Sequence, residues 1–296
     1  MSPSRRRQAV RHAEATWNVS QRQACRVLGQ PRRTQRYEPR RRDDEGLLTK
    51  RLLELVRAHP RYGYRRVWAL LRQEGWRVNR KRVWRLWRRE GLKVPQKRHK
   101  KRRVGHSGNG IVRRRAEGPN EVWAWDFIFD RTANGRSLKW LSVVDEYTRE
   151  CVALEVGRTM TATDVVDVLI DLVAVRGLPR HIRSDNGPEF IAAGIRGWLG
   201  RSGIGTLYIE PGSPWENGYA ESFHARLRDE LLDLEVFDTV AAARALATQW
   251  RLEYNHRRPH SSLGYRTPAG FAASLAASPV AALPTPPPAK RQVVLS

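Results

Sequence analysis

The chain has 296 residues, 55 Lys and Arg against 30 Asp and Glu, a formal net charge of +25, and two cysteines, Cys25 and Cys151. That length suits two or three small domains. Two cysteines without metal-ligand spacing exclude a disulfide framework and speak against a zinc module. No apolar run approaches a membrane span, and the basic start lacks the apolar centre of a signal peptide, so a cytosolic protein is expected. Residues 1–115 hold 36 basic and 8 acidic side chains, net +28, whereas residues 116–296 hold 19 and 22, net −3. The first part therefore calls for a polyanion, nucleic acid before an anionic membrane, since no amphipathic anchor or lipidation motif accompanies the charge.

In chain order, residues 1–40 read as a basic helical region. Short helices are predicted over 8–37: Ser20 N-caps one through Leu28, Gly29 and Pro31 end it, and "RRTQRY" starts another. A three-helix domain is predicted over 45–94. Leu48, Leu52 and Leu55 mark one face of its first helix, and "HPRYGYRR" breaks the chain. Val67, Leu70 and Leu71 mark the second helix, closed by Gly75, and Asn79 caps the third, "RKRVWRLWRRE", closed by Gly91. The third helix is expected to bury Val83, Leu86 and Trp87, with Trp84 also read as a packing residue. Arg80, Lys81, Arg82, Arg85 and Arg88 are read as its DNA-contacting face. This is a helix-turn-helix outline, and so dense an excess of one sign favours phosphate contact over a merely solvated face. Residues 95–117 form a basic linker expected to lack structure of its own without DNA.

Over 118–275 the texture changes. "EVWAWDFIFD" is an apolar strand, Asn134-Gly135 signals a hairpin turn, and "LKWLSVVDEYT" and "ECVALEV" supply two more strands. Thr161 or Thr163 caps a helix that Gly177 and Pro179 end. The strand "HIRS" then leads into "SDNGPEF", followed by a helix through "AAGIRGWLGR", the strand "GTLYIE", the stretch "PGSPWENGYAESFHARLRDELL" with a helix, and a last helix over about 239–255. The order β-β-β-α-β-α-β-α predicts an α/β domain with a mixed sheet. Residues 276–296 are a Pro/Ala-rich tail, expected to be disordered.

Three acids stand out. Asp126 lies mid-strand between Trp125 and Phe127, where a carboxylate is expensive without a partner. Asp185 sits at a strand end, just before a turn. Helical arithmetic, about 100° per residue, gathers Ala220, Phe223, Leu227, Leu231 and Leu234 into one buried stripe and puts Glu221 opposite it, with Asn217 and Arg228 on its own side. Each acid alone has a plainer reading: a hydrogen-bonded strand residue, a turn residue, a surface glutamate. Together they have the chemistry of two-metal phosphoryl transfer, which needs oxygen ligands converging from separate elements.

The run from Asp126 to Glu221, with 35 residues between Asp185 and Glu221, resembles the catalytic core of the retroviral-integrase superfamily. "SDNGPEF", "PGSPWENGYAESF" and "YNHRRPHSSLGYRTP" resemble insertion-sequence transposases of the IS-three family, and "HPRYGYRRVWALLRQEGWRVNRKRVWRLWRREGL" resembles the helix-turn-helix that precedes their core. The resemblance covers residues 8–272 and implies a ribonuclease H-like fold. It implies Asp126, Asp185 and Glu221 as catalytic residues and ligands of two Mg²⁺ ions, with Mn²⁺ as an alternative. Arg228 would contact phosphate, and Asn186, Gly187 and Glu189 would shape the loop after the second acid. The implied activity is metal-dependent hydrolysis and strand transfer on double-stranded DNA, at the element ends and the target, by a homo-oligomer near the bacterial nucleoid. Relatives usually act fused to an upstream-frame product with a further helix-turn-helix and a leucine zipper. The rival functions are a nuclease of the same fold that does not join strands, and a transposase remnant that only binds DNA.

Overall fold

The computed structural model describes residues 1–37, 43–94, 115–184, 192–208 and 218–276. The basic linker (95–114), the tail (277–296) and the loop holding Asp185, Asn186, Gly187 and Glu189 lie outside the described residues. The chain divides into two compact units, Met1–Leu53 and Glu54–Ser296.

In the first unit, α1 (Pro3–Trp17), α2 (Gln21–Val27) and α3 (Arg32–Gln35) close on a small core of Val10, Ala13, Ala24 and Cys25. Helix α1 begins five residues before the predicted start. Ser2 supplies the reason, its Oγ accepting from the Arg5 N–H with Pro3 behind it, a start signal that the arginines of the first turn obscure. Ser20 caps α2 as expected, its Oγ accepting from Gln23 N–H. The division falls within α4 (Glu45–Ala58), whose Leu48, Leu52 and Leu55 are all buried.

The second unit contains α5 (Tyr64–Gln73) and α6 (Arg80–Arg89). Asn79 caps α6, its Oδ1 accepting from Arg82 N–H at 2.8 Å. Gly75 and Gly91, at φ +90° and +65°, take the left-handed conformation that ends each helix. Val67, Leu70, Leu71, Val83, Leu86 and Trp87 are buried. Trp84 is not: it is 42% exposed, with the Arg88 guanidinium 5.2 Å from its ring. The stripe at positions 83, 86 and 87 already fills the core-facing arc, and 84 lies about 100° from 83, outside it.

A five-stranded sheet follows, built from β1 (Val122–Arg131), β2 (Ser137–Asp145), β3 (Cys151–Gly157), β4 (His181–Ser184) and β5 (Gly205–Tyr208). The order is β3-β2-β1-β4-β5, with β1, β2 and β3 antiparallel and β4 and β5 parallel to β1. This mixed topology is ribonuclease H-like, as the strand-helix order implied. The β1–β2 turn carries Gly135 at φ +79°, and Thr132 Oγ1 donates to Asn134 Oδ1 across it. Helix α7 (Ala162–Arg176) opens with a reciprocal capping box between Thr161 and Asp164, and Gly177 ends it at φ +83°. Helices α7 and α8 (Ala193–Arg201) cover one sheet face over Trp123, Trp125, Leu141, Val143, Leu169 and Ile195.

On the other face, α9 (Gly218–Leu227), α10 (Val240–His256) and Phe237 between them pack Phe223, Leu227 and Trp250 against Ile128, Leu138, Trp140 and Val144. Period-two alternation puts Ala124, Asp126 and Ile128 on this second face. A turn of π-helix, Arg228–Leu232, extends α9. Its wider winding rotates later residues, so Leu232 is buried and Leu234, expected in the stripe, is 45% exposed. Helix α11 (Pro268–Ala276) ends the described chain.

Candidate active site

Asp126 and Ser142 are direct cross-strand partners in the β1–β2 ladder, both facing α9. Ser142 Oγ donates to the Asp126 carbonyl at 3.2 Å and lies 2.8 Å from His224 Nε2. His224 Nδ1 is 3.6 Å from Asp126 Oδ2, and Asp126 Oδ1 accepts the Phe127 N–H at 2.7 Å. Burial, then the charge of Arg228, push His224 down to about 4, so it is neutral at pH 7. Its approach to Asp126 is thus not an ion pair, and 3.6 Å is beyond a direct hydrogen bond. The imidazole instead acts as a wedge. It sits between α9 and the Asp126 carboxylate of β1.

Glu221 is one turn before His224 on α9, where side chains three apart lie about 5–6 Å from each other. It is exposed. Arg228, also exposed, follows His224 by one turn, and its charge is felt at that imidazole. Strand β4 runs parallel to β1, with Ala124 opposite Arg183. Asp185 comes next in sequence after Ser184, the last residue of β4, but lies outside the described residues, as do Asn186, Gly187 and Glu189. The structure thus places Asp126 on β1 and Glu221 on α9, one turn from the imidazole that meets Asp126. Among the described residues no group of three His, Cys, Asp or Glu side chains is assembled to hold a metal. The available donor set is carboxylate oxygen, which suits a hard divalent cation.

On α6, Arg80, Lys81, Arg85 and Arg88 are exposed beside Trp84. Arg82 departs from the expected set: it is buried, 8% exposed, at the edge of the buried stripe about 40° from Leu86. A guanidinium on the inner side of the helix is not available to a phosphate outside it. His224 and Ser142 went unnoticed in sequence. A histidine three residues after the helical acid was the only signal for the first, and the second needed the strand register.

The mixed five-stranded sheet covered by helices on both faces is the ribonuclease H-like fold, and its family matches give it as an integrase core, of the polynucleotidyl transferase class. Two models described as "Integrase core domain" match residues 116–214 and 202–268, and one described as "HTH-like domain" matches residues 41–100. The chain is 41% identical to the 39.2 kDa protein of insertion element IS476 of Xanthomonas euvesicatoria, over 93% of this chain and 78% of that protein. It is 39% identical to the 31.7 kDa protein of insertion element IS407 of Burkholderia multivorans, over 86% of this chain and 91% of the relative. It is 30% identical to transposase InsD of insertion element IS2D of Escherichia coli K12, over 77% and 79% of the two chains. The chain belongs to the insertion-sequence transposases of the IS-three family, with the integrase core of the retroviral superfamily. No described helix is long and apolar enough to cross a membrane.

Proposed function

We propose that the protein is a DNA transposase that hydrolyses a phosphodiester at the ends of its element and joins the freed 3′ hydroxyl to target DNA. The observation that supports the reading is the seating of α9 on β1 through His224, Ser142 and Asp126, with Glu221 on the same helix one turn before His224. Asp126, Glu221 and, by sequence position, Asp185 would hold two Mg²⁺ ions. When bound, such ions lower the pKa of water and neutralise charge on attacking and leaving oxygens.

The chain's own groups do the rest. The three carboxylates repel one another until cations neutralise them, at a cost of about 4 kcal/mol for two charges 4 Å apart at an effective dielectric of 20. That repulsion makes the site selective for divalent ions. Arg228 lies on the same side of α9 as Glu221, two turns on, roughly 10 Å along the axis. That offset suits a phosphate neighbouring the scissile one. Arg80, Lys81, Arg85 and Arg88 would hold the DNA backbone at α6, working as a homo-oligomer on the paired ends or with an upstream-frame product.

The test is incubation with duplex carrying the element end, with hydrolysis and joining scored separately. Mg²⁺ is expected to support both, and Ca²⁺ only complex assembly, because it tolerates a looser geometry. Hydrolysis without joining would indicate a nuclease, and binding without either a DNA-binding remnant.

A further inference from the structure

A cavity of about 290 Å³ opens on the other side of α9, roughly 150° round the helix from Glu221. Its wall includes Arg66 of α5, Arg149 of the β2–β3 turn, Arg226 of α9 and Arg258 just beyond α10. Four guanidinium groups from four separate elements converge there, where a solvated basic face would draw its charges from one helix.

Two of them are held by one acid. Arg258 grips Glu230 with two hydrogen bonds, Nε to Oε2 at 2.6 Å and Nη2 to Oε1 at 2.7 Å, and Arg66 reaches the same carboxylate at 3.3 Å. Arg226 is 3.8 Å from Asp229, longer than a charge-assisted hydrogen bond. Arg149 is held at φ +65°, a conformation rarely adopted by arginine, with its guanidinium 3.8 Å above the Tyr219 ring. His260 contributes no charge: burial and the neighbouring Arg258 push it down to about 2. Among the described residues lining the cavity, four are arginines and none is Asp or Glu. The first turn of α9, Gly218 and Tyr219, also opens on the cavity and adds the positive end of its dipole, and exposed Ser222 and Ser261 supply hydroxyls.

We propose that this cavity is a second DNA contact, which seats a backbone phosphate of the strand whose scissile bond lies at the Asp126–Glu221 site. Planar guanidinium forks and serine hydroxyls are the groups that hold a phosphodiester. Ser222 lines the cavity and Glu221 is its neighbour in the chain, so a strand crossing α9 passes from one to the other within about one helix diameter, 10–12 Å. Because Arg66 belongs to α5, the phosphate would also tie the helix-turn-helix segment to the core. The inference rests on the proposed transposase function.

The test uses full-length protein with Arg149→Gln and Arg226→Gln combined, which spares the buried Arg258–Glu230 pair and the carboxylate site. DNA binding is titrated without divalent ions at several salt concentrations, with thermal melting as the folding control. The double variant is expected to melt as the parent does, bind end DNA several-fold more weakly, and lose about 0.9 or more from the log–log salt slope. Glu221→Gln in the same assay is expected to bind as the parent. An unchanged slope and affinity in the folded double variant would overturn the cavity assignment and leave the catalytic reading standing. A parent stabilised by inorganic phosphate where the double variant is not, with DNA binding equal in both, would assign the cavity to a free anion and also overturn it.

Discussion

Helix α9 presents opposite chemistry on its two sides. Toward β1 it offers His224, which with Ser142 forms an uncharged pair beside the Asp126 carboxylate, and Glu221 stands exposed one turn away. Toward α5 and the β2–β3 turn it offers Tyr219, Ser222 and Arg226, and that site gathers guanidinium around one acid, Glu230. Both lie on one rigid element and neither cancels the other. Two opposite charges at 4 Å attract by about 4 kcal/mol at an effective dielectric of 20, and across the roughly 10 Å of a helix by less than half that. A protein acting on a polyanion needs this separation: acids to concentrate metal ions, cations to hold phosphates, close together without collapsing into salt bridges.

The two sites should therefore respond differently to damage. Glu230→Ala is expected to be the most destabilising change, about 3–5 kcal/mol, because it leaves the Arg258 side chain, 3% exposed, as an uncompensated buried charge. Burial works against that guanidinium, and the hydrogen bonds and charge of Glu230 overcome it, holding Arg258 above its usual value. Urea unfolding measures the loss, and one below 1 kcal/mol would show that the pair is solvated after all.

On the acidic side, His224→Ala should cost only about 1 kcal/mol in stability by removing a neutral hydrogen bond. It should nevertheless slow cleavage about 10–100-fold, the usual toll for losing a group that orients a metal ligand. Equal rates with and without the imidazole would remove its positioning role.

Acid separates the sites less sharply. His260 and His224 have folded values near 2 and 4, below the ordinary 6.5. The unfolded chain therefore binds more protons as pH falls below about 6.5. Stability is full above that point and declines on acidification, by at most about 1.4 kcal/mol per pH unit for each histidine. Urea midpoints at pH 7.5 and 5.0 check this, with His260→Gln expected to flatten the decline. A parent that gained stability on acidification would contradict it. The smallest effect is expected at Trp84, exposed on α6, where Ala should change stability by no more than about 0.5 kcal/mol. A loss above 2 kcal/mol would show that it packs.

The elements that carry Asp126 and Glu221 were legible because their signals are local. Asp126 interrupts an apolar strand, and Glu221 falls opposite a helical stripe whose members Ala220, Phe223, Leu227 and Leu231 are indeed buried. The helix caps at Ser20, Asn79 and Thr161 were legible for the same reason, since each bonds within three residues. The arginine site was not. Glu230 meets Arg258 across 28 residues and Arg66 across 164, and no local pattern encodes such pairings. The π turn after Leu227 has no periodic signature, so Leu234 was misplaced. Arg82 was taken for a surface cation because its neighbours are basic, although it borders the buried stripe at Leu86.

Strand cleavage and joining on end-sequence duplex in Mg²⁺, compared across the parent, Asp126→Asn, Asp185→Asn and Glu221→Gln, tests the central claim that these acids form one metal site. Each variant is expected to bind DNA as the parent does and to lose both reactions by about 10³-fold or more. Any single variant that retains more than about a tenth of the parent's joining rate would contradict the account, since a site that supports transfer without one of its three acids is not the site described.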